Sequence, residues 1–169
     1  MQNAKDTFYE VLRDRVTAVN AALTVVVRGM VRPAVVVDEN EVVNTVLRDC
    51  FRLRWAAIRI DTSRSAAMYA MTCELRYATA GTEAASGLDR GRAIAAMDAT
   101  LMAALGPGAQ SQWALKKSFT GLASGGSVMN LASRIWWSDV VFGVLAESAG
   151  ELQRMATVDV WSYQEEGEA

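Results

Sequence analysis

The chain has 169 residues, 51% of them hydrophobic and 21% charged, which fits one globular domain and excludes general disorder. A domain of this size buries roughly 70% of the surface its unfolded chain exposes, so it needs no metal or disulfide to hold together. Lys and Arg total 17 against 19 acids, and the resulting formal charge of −2 argues against a protein that lives on nucleic acid or anionic membrane.

Ala4 to Ala22 reads as an amphipathic helix, with Phe8, Leu12, Val16, Val19 and Leu23 on one stripe. Thr24 to Arg28 is β-rich, Gly29 interrupts it, and Ala34 to Val37 resumes after Arg32-Pro33. The proline denies one ladder hydrogen bond, so this part is an edge strand or the start of one. Asp38 to Glu41, DENE, then leads into an ambiguous stretch that runs to Asp49.

The middle carries the clearest strand signals. Phe51, Leu53 and Trp55 alternate with Arg52 and Arg54, then Ile58 and Ile60 alternate with Arg59 and Asp61. The phase slips by one around Ala56-Ala57, which predicts a β-bulge. Tyr69, Met71, Cys73, Leu75 and Tyr77 form a clean period of two, and the polar insert Thr62 to Ser65 is a hairpin loop. Arms of about 11 residues are twice the usual strand length and are expected to overhang their own core.

Ala80 to Leu88 is a small-residue loop, Asp89 a candidate N-cap, and Ile94, Met97, Leu101 and Leu105 the inner stripe of a second helix. Gly106-Pro107-Gly108 stops it. Ala109 to Ser133 carries no strong period and reads as a long loop with SGGS near its end. Arg134 to Ala146 is a tryptophan-bearing strand region, and a last strand from about Leu152 to Tyr163 ends in the acidic tail QEEGEA. The expected architecture is a single α+β domain over residues 1–169, a mainly antiparallel sheet with a long β-hairpin and two helices on one face.

Chemistry-bearing patterns are scarce. Histidine is absent, which removes the commonest general base and metal ligand together and forbids Ser-His-Asp and Cys-His arrangements. Cys50 and Cys73 are too few and too far apart for a zinc cage or redox pair, so both are expected to sit reduced near strands in a cytoplasmic setting. No phosphate-binding GxxxxGK[ST] or GxGxxG occurs. Asp89 would repel an anion at the GLDRGR helix start, and DENE lacks the spacing of a calcium loop, so it reads as a solvated acidic turn. Asp6 and Glu10 interrupt the run a signal peptide needs, and the longest uncharged stretch, Ala99 to Leu115, is broken by Gly106-Pro107-Gly108. No enzyme, cofactor, metal or membrane span is expected.

What remains is surface. Arg52, Arg54, Arg59 and Arg76 project from the polar faces of the long strands, while Trp55, Tyr69 and Tyr77 alternate with them toward the core. That alternation speaks against a stacking platform for nucleic acid and for ion pairs with Glu74, Asp61 or another subunit. Trp136 and Trp137 are adjacent in a strand and face opposite ways, so one is in the core and the other needs a loop or an interface.

The order of elements, together with RPAVVVDE (Arg32 to Glu39), CELRYATAG (Cys73 to Gly81), WSDVVF and MATVDVWSYQEE (Met155 to Glu166), resembles the tail terminator proteins of long-tailed bacteriophages. Members are small α+β proteins that form a hexameric ring, cap the tail tube, stop its growth and give the head a surface to join. The resemblance implies a virion structural protein of the neck, assembled in the bacterial cytoplasm, with no catalytic residue. Its partners would be itself as a homo-oligomer, the tail tube protein, and a head-completion or connector protein, with no sequence-specific nucleic acid. The segment Ala109 to Ser133 departs from the family pattern. Another neck component is the nearest alternative, and a small-molecule-binding or enzymatic α+β domain comes third. The residues expected at a subunit or tube interface are Arg52, Arg54, Arg59, Arg76 and Trp136 or Trp137.

Overall fold

The computed structural model describes residues 1–39, 47–63, 65–81, 88–107, 111–165 and 168. Helix α1, Gln2–Val19, buries Phe8, Leu12 and Val16 as the stripe predicts. It ends before the predicted boundary, which leaves Val19 exposed beyond the core. Strands β1, Thr24–Val27, and β2, Met30–Pro33, form a separate hairpin. Its turn, Arg28-Gly29, has φ of +52° and +79°, the mirror-image two-residue turn that suits twisted strands. Pro33 ends β2 opposite Thr24, where an outer strand tolerates its missing donor.

The main sheet runs β3-β4-β5-β10-β7-β6, with β8 and β9 also joined to β10. Strand β3, Val35–Val37, pairs parallel to β4, Phe51–Asp61, which pairs antiparallel to β5, Met68–Thr79. The register shift between Trp55 and Ala57 is the bulge predicted there. Helix α2, Asp89–Leu105, buries Ile94, Met97, Leu101 and Leu105. Leu88 takes the cap position and makes no side-chain cap bond, so Asp89 lies in the first turn instead of capping it.

The segment read as a long loop contains regular structure. Strand β6, Trp113–Ser118, the short helix α3, Thr120–Ala123, and the start of β7, Met129–Trp137, all fall between Ala109 and Ser133. The physical reason lies in β6. Trp113 and Leu115 are exposed while Lys116 is fully buried, so apolar alternation is inverted and a register shift breaks its phase. Strands β8, Val141–Phe142, β9, Ala146–Ser148, and β10, Glu151–Tyr163, complete the sheet.

The sheet curls strongly, and α1 meets β3 near one end of it and β6 and β7 at the other. Phe8 marks the centre of the wrap, edge-on to Trp55 at 5.9 Å and to Trp137 at 5.7 Å. Burying each such side chain contributes about 1.5–3 kcal/mol. Val35 and Val37 join this main core, whereas Val36 faces the other way into a small cluster with Val25, Val27, Ala34 and Cys50. That second cluster docks the β1–β2 hairpin. The result is the expected α+β domain, with α1 and α2 on the concave side.

Candidate subunit interface

On β5, Tyr69, Met71, Cys73, Leu75 and Tyr77 are buried, so Thr72, Glu74 and Arg76 occupy the opposite face, away from the helices. Cross-strand register then sets Arg52 opposite Arg76, Arg54 opposite Glu74, and Arg59 opposite Ala70. All four predicted arginines therefore share the outer face. Two like charges directly opposed are unfavourable, and here each has its own carboxylate. Arg52 donates from Nε at 2.9 Å and pairs through Nη2 at 2.8 Å with Asp38. Arg76 pairs with Glu74 at 2.6 Å. Asp38 and Glu39 form a turn as expected, Glu39 exposed and Asp38 partly buried against Arg52; Asn40 and Glu41 lie outside the described residues. Asp61, expected as another partner, accepts hydrogen bonds from the backbone N–H and hydroxyl of Ser63.

Arg54 and Arg59 differ. Both are exposed, and among the described residues neither has an ion pair or side-chain hydrogen bond. Among the described residues, they stand on a part of β4 with no outer neighbour, since β3 pairs with Phe51 to Leu53. Arg54 to Asp61 leaves about 26 Å of strand edge open at 3.3 Å per residue. Ala56 to Ile60 are all exposed, including Ile58 at 41% and Ile60 at 55%. The expected overhang therefore holds for one arm only. β5 is paired with β10 along its entire length, from Met68 opposite Tyr163 to Thr79 opposite Leu152.

The adjacent tryptophans divide as predicted. Trp137 is in the core, its indole N–H donating to the Leu105 carbonyl at 3.3 Å and its ring 4.9 Å from the Arg15 guanidinium. Trp136 lies on the outer face, beside Trp161 of β10 and Trp113 of β6 in register, with Tyr163 at 5.5 Å. Arg134 covers Trp113 at 4.1 Å. Sequence reasoning missed this row because Trp113 fell in the segment without a period. Trp161 was legible only as one position of an alternating strand.

A cleft of about 400 Å³ opens on the same face between Arg52, Arg76, Gln153, Met155 and Val144. Its arginines are already matched by acids, and Glu151 beside them is bonded by Arg48. Burial pushes the Cys50 thiol up to about 11 and the Cys73 thiol higher still, so neither supplies a thiolate nucleophile at neutral pH. Among the described residues, no group of three or more Cys, Asp or Glu side chains could hold a metal ion, and no helix is long and apolar enough to cross a membrane. Compared with models of known protein families and with curated proteins, the sequence matches none.

Proposed function

We propose that the protein is the tail terminator of a bacteriophage or prophage, a structural subunit that closes into a hexameric ring on the finished tail tube. The ring ends tube growth and offers the head its joining surface. The observation that carries this reading is the edge of β4 from Arg54 to Asp61, which among the described residues is open, with two arginines that have no ion pair there and two exposed isoleucines. A strand edge of that length invites another chain, and natural folds cover or blunt it unless a partner does so. The element order and the RPAVVVDE and MATVDVWSYQEE segments add the family resemblance.

On this reading the protein is not an enzyme and needs no cofactor. Its partners are further copies of itself, the tube protein, and a head-completion or connector protein, in the neck of a virion assembled in the host cytoplasm. Another neck component is the alternative that uses the same edge. The arginine-lined cleft favours a small-molecule-binding domain as the remaining reading, although its paired carboxylates leave little charge for a ligand.

Negative-stain imaging of the protein mixed with tail tubes tests the proposal. Rings seated at one end of each tube are expected. Tubes with bare ends, beside protein that binds only isolated heads, would replace the terminator with a head-side component.

A further inference from the structure

Strands β6 and β7 are mismatched between two of their paired positions. Leu115 lies opposite Arg134 and Lys117 opposite Asn130, so Lys116 alone stands against Leu131, Ala132 and Ser133. A bulge of this kind leaves its extra residues out of the ladder and re-aims a side chain. On the other side of β7, the pairing with β10 begins only at Ile135. The bulge N–H groups and the Lys116 ammonium therefore need acceptors from outside the ladder.

The acidic tail supplies them. The Glu165 carboxylate accepts from the N–H of Ser133 at 2.6 Å and from that of Ala132 at 3.4 Å. Glu168 pairs with Lys116, whose side chain is 0% exposed, and the same carboxylate oxygen accepts the Glu165 N–H at 3.2 Å. An ammonium out of water is costly unless a counter-charge reaches it. Among the described residues Glu168 is the one acid paired with Lys116, since Glu10 pairs with the neighbouring Lys117. Successive backbone N–H groups in an irregular turn or bulge also make a concavity that suits an anion.

We propose that the β6–β7 bulge is a carboxylate-binding site whose resident ligands are Glu165 and Glu168, so that the acidic tail works as a releasable clasp on the outer strands. This does not depend on the ring reading above. The two acids act where the ladder fails: Glu165 reaches β7 and Glu168 reaches β6. Lys116 completes the clasp by donating to the Tyr163 carbonyl at the end of β10. Opened, the bulge presents one ammonium and two N–H groups together. An acidic segment of polypeptide is the ligand that matches those donors, and the chain carries one of its own.

Lysine acylation of the full-length protein, read by peptide mass spectrometry, tests the site, because the chain has only three lysines, Lys5, Lys116 and Lys117. Lys116 should react far more slowly than the partly exposed Lys117. Glu165→Gln combined with Glu168→Gln should speed Lys116 about tenfold, which is about 1.4 kcal/mol in the opening equilibrium, and leave Lys117 unchanged. Hydrogen exchange at Ala132 and Ser133 should quicken as well, while Ile94 to Leu105 keep their protection. Millimolar peptide QEEGEA added to this variant should slow Lys116 again, and QQEGQA should not. A variant that keeps its helix protection yet leaves Lys116 slow would overturn the clasp. Rescue by both peptides, or by neither, would overturn the carboxylate site. If the double variant loses helix protection too, Glu165→Gln alone decides, since it keeps the buried pair. Faster exchange at Ala132 and Ser133 then supports the assignment, and unchanged exchange overturns it.

Discussion

Lys116 and Glu168 form an ion pair sealed from water, their side chains 0% and 4% exposed. The same ammonium donates to the Tyr163 carbonyl at 2.8 Å, so one cation ties β6 to the end of β10 and to the acidic tail. Burial pushes the Glu168 carboxyl up, but hydrogen bonds from Lys116 and from the backbone N–H of Glu165 outweigh it and hold the group below the ordinary carboxylate range. A depressed carboxylate stabilises the fold above its unfolded pKa, and that stability is lost as pH falls through the folded value.

Glu168→Gln should therefore lower stability by about 3 kcal/mol at neutral pH, because Lys116 is left as a buried charge without its partner. Chemical denaturation at about pH 7 and again at about pH 3, on either side of the ordinary carboxylate range, measures this. The gap between variant and wild type should shrink at the lower pH. An equal gap at both values would remove the ion pair as its cause.

The two adjacent tryptophans should respond very differently to truncation. Trp137→Ala empties a site between Phe8 and Leu105 and should cost about 3–5 kcal/mol. Trp136→Ala removes a half-exposed ring from the outer row and should cost about 1 kcal/mol. Urea denaturation of both variants gives the comparison, and the reverse order would invert the assignment of faces.

Ala149 offers a stabilising change. It precedes Gly150 in the turn between β9 and β10, with φ of +51° and +79° at the two positions. A left-handed conformation is costly for alanine, while Asn-Gly is the preferred pair in this turn. Ala149→Asn should raise stability by about 0.5–1 kcal/mol, in the range of compatible turn substitutions, read as an increase in the denaturation midpoint. A lower midpoint would mean the turn relaxes to another form.

The fold was legible wherever one face of an element is buried and the other wet. The period of two from Tyr69 to Tyr77 and the stripe from Ile94 to Leu105 both follow from such one-sided burial. β6 was not legible because its inward residue is Lys116, whose charge is matched by Glu168, 52 positions away in the chain. No local pattern carries that information. Nor could sequence separate Arg52 and Arg76 from Arg54 and Arg59, since all four alternate alike. Asp38 and Glu74 make the distinction, and the parallel pairing of β3 ends just before Arg54. The outer tryptophan row depends on the register of three strands, which hydrophobic periodicity leaves undetermined.

Tail-tube length is the most direct test of the central claim. A phage or prophage encoding this protein would carry Arg54→Glu, with circular dichroism used to establish that the purified variant is folded. Reversing a charge on the exposed edge leaves the core untouched and places like charge against the partner; removing one member of a buried interfacial charge pair typically costs about 2–5 kcal/mol. The account predicts a folded subunit that fails to assemble on tubes, and tubes of uncontrolled length by electron microscopy. Tubes of wild-type length from the folded variant would contradict it.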